Sequence, residues 1–234
     1  MKIGLLQCDE VVAELQSEFG SYPEMFKQLF DRVTDQIEWR VYRVVDGELP
    51  EDIHECDGYI TSGSRYGVND GDPWIDALEQ FLLSLVHEHK KYVGICFGHQ
   101  LLAKALGGRV ERSGRGWGVG LSFNQIDVQQ DWMQPSQQGL DLVVSHQDQI
   151  TALPKTAKVL ASSSFCPYYL LQYGKHQMTV QGHPEFRKDY SSALMEYRRD
   201  RIPAARRREG QTSLAAKVDD QLMAQWIVNF FHKS

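Results

Sequence analysis

Residues 91–108 read "KYVGICFGHQLLAKALGG". An apolar run ends at Ile95, Cys96 follows, and apolar residues with helical spacing begin immediately afterwards. This junction predicts a strand that turns sharply into a helix, with Gly94 and Gly98 relieving the crowding at the turn. The Cys96 side chain would then stand at the carboxyl edge of a sheet, facing the positive end of a helix dipole. Because that setting favours the nucleophilic thiolate, we interpret Cys96 as a nucleophile rather than a core residue.

The chain on either side of this turn alternates between apolar runs and helical patterns. We predict strands at 2–8, 37–45, 57–64 and 91–97, and helices at 22–33, 73–89 and 98–106. Such alternation with short connections predicts an α/β fold whose central, mostly parallel sheet is covered by helices on both faces. We find no internal repeat and no convincing linker, so residues 1–234 are interpreted as a single domain.

The second half of the chain has a different pattern. Glycine-rich and β-like segments between residues 107 and 182 predict short antiparallel additions to the sheet. Two helical stretches follow, at about 189–201 and 213–232. The second is expected to bury one apolar face, with candidates Leu222, Trp226, Val228 and Phe230.

Composition limits the classes of function. The net charge is −6 and no apolar run approaches 18 residues, which argues against nucleic-acid binding and membrane insertion. Four widely spaced cysteines and an N-terminus without a cleavage signal are typical of a cytoplasmic protein. The one basic run, "RRDRIPAARRR" at 198–208, is interpreted as a solvated helix–turn–helix junction broken at Pro203.

A thiol nucleophile needs a base, and the base needs a group that orients it. Of the eight histidines, His146 in "VVSHQD" and His183 in "VQGHPEF" stand at the ends of predicted strands. His183 has Glu185 two residues later, and a carboxylate at that spacing could hold the second nitrogen of the imidazole. These residues make His183 the stronger candidate for the base.

Taken together, "GICFGHQLLAKALGG" and the later "VQGHPEF" resemble the class I, or triad, glutamine amidotransferase superfamily. The resemblance covers about residues 40–190. It implies a single α/β domain with a flavodoxin-like core. It also implies a catalytic triad, which would be Cys96, His183 and Glu185.

The same resemblance implies further site residues. An oxyanion hole would use backbone N–H groups of the "SGS" loop and of the residue after the nucleophile, namely Gly63 or Ser64 together with Phe97. Substrate would be held by Gln100 and by the "SHQD" segment, with its residues Ser145, His146 and Gln147. Gln147 stands where the family usually has glycine, and this change affects the width of the pocket. The "SGS" form is most similar to stand-alone relatives of the GMP synthase amidotransferase domain and to γ-glutamyl peptidases.

The resemblance implies hydrolysis of a γ-glutamyl amide through a thioester, without metal or cofactor. Glutamine would yield ammonia for a separate synthetase subunit, whereas a γ-glutamyl peptide would make the protein a free-standing peptidase. A catalytically silent binding module is a third option, and a homodimer is open in every case. An α/β-hydrolase is less favoured, because that fold places its acid between the nucleophile and the histidine.

Overall fold

The computed structural model describes residues 1–233, which form twelve β-strands and seven α-helices. The strands are β1 (Lys2–Leu6), β2 (Glu38–Tyr42), β3 (Gly58–Thr61), β4 (Lys91–Ile95), β5 (Arg109–Arg112), β6 (Gly118–Ser122), β7 (Gln125–Ile126), β8 (Leu142–His146), β9 (Asp148–Ala152), β10 (Ala157–Ser162), β11 (Leu170–Tyr173) and β12 (Gln177–Val180). The helices are α1 (Ala13–Phe19), α2 (Tyr22–Phe30), α3 (Pro73–His87), α4 (Phe97–Ala105), α5 (Lys188–Tyr197), α6 (Ala204–Ser213) and α7 (Asp220–His232).

Eight strands form the central sheet in the order β2-β1-β3-β4-β12-β11-β10-β7. The first five of these are parallel, and β11, β10 and β7 extend the sheet in antiparallel pairs. Two small antiparallel pairs, β5–β9 and β6–β8, lie outside it. The prediction of a mostly parallel sheet with antiparallel additions is confirmed.

Helices cover both faces of the sheet, because neighbouring residues of a buried strand point in opposite directions. On one face, Ile60 and Val93 belong to a core that includes side chains of α2 and α7. On the other face, Tyr59 and Tyr92 belong to a core built with α3 and α4. The result is a single α/β domain in which β4 and β12 are central and buried.

Local sequence explains how the well-predicted helices begin. Helix α2 has a capping box in which the Ser21 side chain and the Glu24 side chain each accept from the other's backbone N–H. Helix α3 has Pro73 in its first turn and buries Ile75 and Leu78 at helical spacing. No helix within residues 1–233 has the length and apolarity needed to cross a bilayer.

Two parts of the helix prediction are wrong. Helix α1 is not among the predicted helices, and the predicted helix at 213–232 begins only at Asp220 as α7, because residues 214–219 form the connection from α6. The connection leads to Asp219, whose carboxylate accepts from the Asp141 backbone N–H at 3.0 Å and so anchors the chain just before α7. Of the expected apolar face of α7, Leu222 is only half-buried, whereas Trp226 is fully buried.

Candidate active site

Cys96 occupies the turn between β4 and α4. Its φ of 48° lies in the left-handed region, which residues other than glycine rarely adopt. The Cys96 backbone N–H donates to Val180 O at 2.8 Å, which ties the turn to the neighbouring strand β12. The strained conformation predicted for this junction is therefore present, and tertiary contacts hold it in place.

The glycines that flank Cys96 are required by close approach. A Cβ at Gly94 would meet the carbonyl oxygen of Gly98 at 2.8 Å, because the strand and the helix almost touch there. A Cβ at Gly98 would overlap Thr61 and lie 2.6 Å from the Tyr92 hydroxyl oxygen. Any larger residue at either position would push α4 away from β4.

His183 and Glu185 lie beyond the carboxyl end of β12, the parallel neighbour of β4. His183 Nδ1 is 2.7 Å from Glu185 Oε1, and both side chains are buried. The Phe186 ring stacks on the imidazole with the ring centroids 3.9 Å apart. Glu185 thus fixes the tautomer and the plane of His183 and leaves Nε2 for another partner.

The charges around His183 outweigh its burial. Burial disfavours the imidazolium, but Glu185 and then Cys96 favour it, and together they raise the pKa of His183 to about 10. A histidine held as imidazolium beside a cysteine stabilises the thiolate. The structure therefore brings all three residues of the expected triad into one cluster.

The expected oxyanion donors surround this cluster. Gly63 is packed so tightly on the imidazole that a Cβ there would lie 2.5 Å from His183 Cε1. Ser64 and Phe97 line the same cavity as Cys96. Within residues 1–233, the backbone N–H groups of Gly63, Ser64 and Phe97 donate no hydrogen bond, so they are free to bind a ligand oxygen.

Gln181 is a residue of this cluster that sequence reasoning missed. Its Nε2 lies 3.3 Å from Cys96 Sγ, and its Oε1 accepts from Gln100 Nε2 at 3.0 Å. Gln100 also donates to Asp148 O at 2.8 Å. The expected substrate residue Gln100 is therefore connected to the nucleophile through a second glutamine. The available signal in the sequence is the position of Gln181, directly before "GHPE".

The "SHQD" segment lies along the cavity, at the end of β8 and the start of β9. Burial lowers the pKa of His146 to about 4, so its imidazole is neutral at pH 7. Gln147 Oε1 accepts from Arg112 at 2.7 Å, and Ser145 Oγ accepts from Arg198 at 2.8 Å. The segment is thus near Cys96 as expected, but two of its side chains are engaged by arginines.

The Arg198 contact corrects the interpretation of residues 198–208 as surface only. The predicted break at Pro203 is present, between α5 and α6. However, Arg198 is half-buried, and it lines the cavity of about 230 Å³ that contains Cys96. Arg201 lines the same cavity. Folding brings this segment to Ser145, 53 positions away in sequence, and no local pattern indicates that contact.

A cysteine at a helix start, beside a histidine–glutamate pair at the edge of a parallel sheet, is the arrangement expected of a triad amidotransferase-like protein. Residues 26–196 match the family model described as glutamine amidotransferase class-I. That match covers more than half of the chain. The protein therefore belongs to the class-I glutamine amidotransferase family.

Comparisons with individual proteins agree with this assignment. The chain is 34% identical over 184 residues to γ-glutamyl peptidase 5 of Arabidopsis thaliana, covering 75% of this chain and 72% of the relative. It is 29% identical over 147 residues to one of the subunits of the glutamine-hydrolysing GMP synthase of Archaeoglobus fulgidus, covering 61% and 74%. A glutamine amidotransferase structure from Thermotoga maritima shares the fold with a TM-score of 0.77 at 18% identity, covering 100% and 99%.

Proposed function

We propose that the protein hydrolyses γ-glutamyl amides through a covalent thioester on Cys96. The observation that carries the proposal is the cluster at the carboxyl ends of β4 and β12. There the elbow cysteine faces an imidazole whose Nδ1 is held by Glu185 at 2.7 Å. This is the geometry that thiol acyl transfer needs, namely a nucleophile, a base and a group that orients the base.

In the first half of the reaction, the Cys96 thiolate attacks the γ-carbonyl carbon of the substrate. The developing oxyanion is stabilised by N–H groups of Gly63 or Ser64 and of Phe97. The His183 imidazolium then gives its proton to the leaving nitrogen, the C–N bond breaks, and the amine departs. A γ-glutamyl thioester remains on Cys96.

Water attacks the thioester in the second half. The neutral His183 takes a proton from this water, a second tetrahedral intermediate forms, and the C–S bond breaks. Glutamate leaves, and Cys96 returns to the thiolate beside the His183 imidazolium. Glu185 acts throughout by stabilising the charged imidazole. The proposed steps use only these protein groups and water, without a metal or cofactor.

The similarity to a plant γ-glutamyl peptidase supports a free-standing peptidase as the first candidate. The similarity to part of a glutamine-hydrolysing GMP synthase supports a second candidate, a glutaminase coupled to a separate synthetase subunit. In that case ammonia is the leaving group and the chemistry at Cys96 is unchanged. A cytoplasmic location is a prediction under both candidates, and a homodimer stays open under both.

Release of glutamate from glutamine and from γ-glutamylglycine tests the proposal. We expect turnover of at least one compound, and we expect Cys96→Ser to reduce it by more than about 1000-fold, because the nucleophile is lost. Labelling of Cys96 by a glutamine-analogue alkylator should proceed in parallel with inactivation. Absence of both turnover and labelling would instead favour a silent binding module.

A further inference from the structure

We propose that Arg198 and Arg201 form a subsite that binds a carboxylate on the leaving group of the γ-glutamyl substrate. This inference rests on the proposed function and adds specificity-determining residues to it. The two arginines come from the segment after α5, outside all the motifs of the expected triad and its pocket. They line the cavity that contains Cys96.

Within residues 1–233, the two arginines line the cavity and have no carboxylate partner, a combination that no other arginine of 198–208 shows. Within 198–208, three of the six arginines contact carboxylates, Arg199 and Arg207 at Glu196 and Arg206 at Glu209. In the part of the chain that the structure describes, neither Arg198 nor Arg201 makes a salt bridge. Their charges are therefore available to an anion that enters the cavity.

Both guanidinium groups are held in position by their surroundings. The Arg201 backbone N–H donates to Arg198 O at 2.9 Å, so the two residues belong to one turn. Arg198 Nη1 donates to Ser145 Oγ at 2.8 Å, and the Arg201 guanidinium lies 5.8 Å from the centroid of the Trp117 ring. Trp117 and Ser145 also line the cavity. These contacts orient both guanidinium groups, which favours the binding of a planar carboxylate.

The cavity lining also contains other charges of both signs, among them Arg65, which pairs with Asp9. The acidic residues of its lining are Asp70 and Asp148, and Arg112 stands directly opposite Asp148 in the β5–β9 pair. Asp70, Asp148 and Arg112 therefore offer the charges that the ammonium and carboxylate of the γ-glutamyl end require. Arg198 and Arg201 are additional cations from another element, and glutamine has no further anion for them.

The position of the two arginines relative to the nucleophile agrees with this assignment. Cys96 is buried, whereas Arg201 is exposed. A γ-glutamyl group must reach inward to Cys96, and its leaving group must extend toward the exposed mouth of the cavity. A leaving group that ends in a carboxylate, such as the glycine of a γ-glutamyl peptide, would place that charge near Arg201.

The test compares γ-glutamylglycine with γ-glutamylglycinamide, which has the same shape without the carboxylate. The kcat/KM for γ-glutamylglycine is divided by the kcat/KM for γ-glutamylglycinamide, for the wild type and for the variants Arg201→Gln and Arg198→Gln. Comparing this ratio between a variant and the wild type cancels the difference in intrinsic reactivity between the two compounds. We expect each variant to lower this ratio about tenfold, the contribution of one charge-assisted hydrogen bond. Arg208→Gln, the same change at an exposed position outside the cavity, should keep the wild-type ratio.

Two outcomes would overturn the inference while leaving the proposed function intact. Wild-type kcat/KM values for both compounds in both cavity variants would mean that the arginines do not bind the substrate. An equal loss with both compounds would mean that they bind the α-carboxylate of the γ-glutamyl half or only support the fold. If the wild type hydrolyses neither compound nor glutamine and Cys96 is not labelled, the proposed function fails, and this subsite with it.

Discussion

At the scale of single residues, polar side chains of the candidate site surround the Cys96 thiol. Cys96 is approached by the Gln181 amide at 3.3 Å and by the His183 imidazolium, whose pKa is raised to about 10. The other cysteines lie in different surroundings, since burial raises the pKa of Cys166 to about 12 and also raises the pKa of Cys8. Selective modification of Cys96 by a mild alkylating reagent is the expected consequence.

Replacing Gln181 tests whether its amide stabilises the thiolate. In Gln181→Leu the N–H donor is lost while the volume is nearly kept. A hydrogen bond to a charged group contributes about 1.5–3 kcal/mol, so Cys96 alkylation at neutral pH should slow by roughly ten- to hundredfold. The pH profile of the alkylation rate should also move to higher pH.

The matched control for this experiment is Gln177→Leu, at the other end of β12. Gln177 is also buried, but its amide donates to Lys90 O at 3.2 Å, away from Cys96. We expect this variant to retain the wild-type alkylation profile. The same shift in both variants would mean that β12 responds to any lost amide and that Gln181 has no specific role.

At the scale of elements, the β4–α4 turn is fixed by its local sequence together with the close packing of Gly98 against Thr61. Gly98→Ala places a Cβ against Thr61 and the Tyr92 hydroxyl. Such overpacking typically costs about 1–3 kcal/mol of unfolding free energy. Urea denaturation should therefore show a lower midpoint for Gly98→Ala, together with slower labelling of Cys96 because the turn is displaced.

Gly114→Ala is the control for the substitution itself. A Cβ added at Gly114 would meet no other part of the protein within 4 Å, so alanine there meets open space. We expect the stability of this variant to lie within about 0.5 kcal/mol of the wild type, as for other surface changes. Equal stabilities of the two variants would contradict the close-packing argument at the turn.

The same scale shows what the sequence can predict. The β4–α4 turn is predictable because its signals lie within a few residues, and so are the amphipathic helices α2 and α3. The pairing of Val180 with Ile95 brings Gln181 level with Cys96, and strand register cannot be read from either segment alone. The contact of Arg198 with Ser145 depends on the complete fold, so the basic run resembles plain surface when only the sequence is considered.

At the scale of the whole molecule, two buried histidines make stability depend on pH. His99 is fully buried with Nδ1 at 2.8 Å from Thr179 Oγ1, and burial lowers its pKa to about 3. Burial likewise lowers the pKa of His146 to about 4. Unfolding restores an ordinary histidine pKa near 6.5, so the unfolded chain binds more protons in acid. The stability that each neutral imidazole contributes above pH 6.5 is lost as the pH falls toward 4.

We expect the unfolding free energy of the wild type to fall by about 1.4 kcal/mol per pH unit for each of these histidines between pH 6 and 4.5. His183 adds no slope there, because its raised pKa contributes stability that is complete below pH 6.5 and lost only toward pH 10. The His99→Gln variant should be less stable at pH 7, because the Thr179 hydroxyl loses its hydrogen bond with the His99 imidazole. Its unfolding free energy should nevertheless fall less steeply with acid, by about 1.4 kcal/mol per pH unit. Carboxylates titrate equally in both proteins, so the difference between the two urea-derived slopes isolates His99, and equal slopes would show that its burial does not govern acid stability.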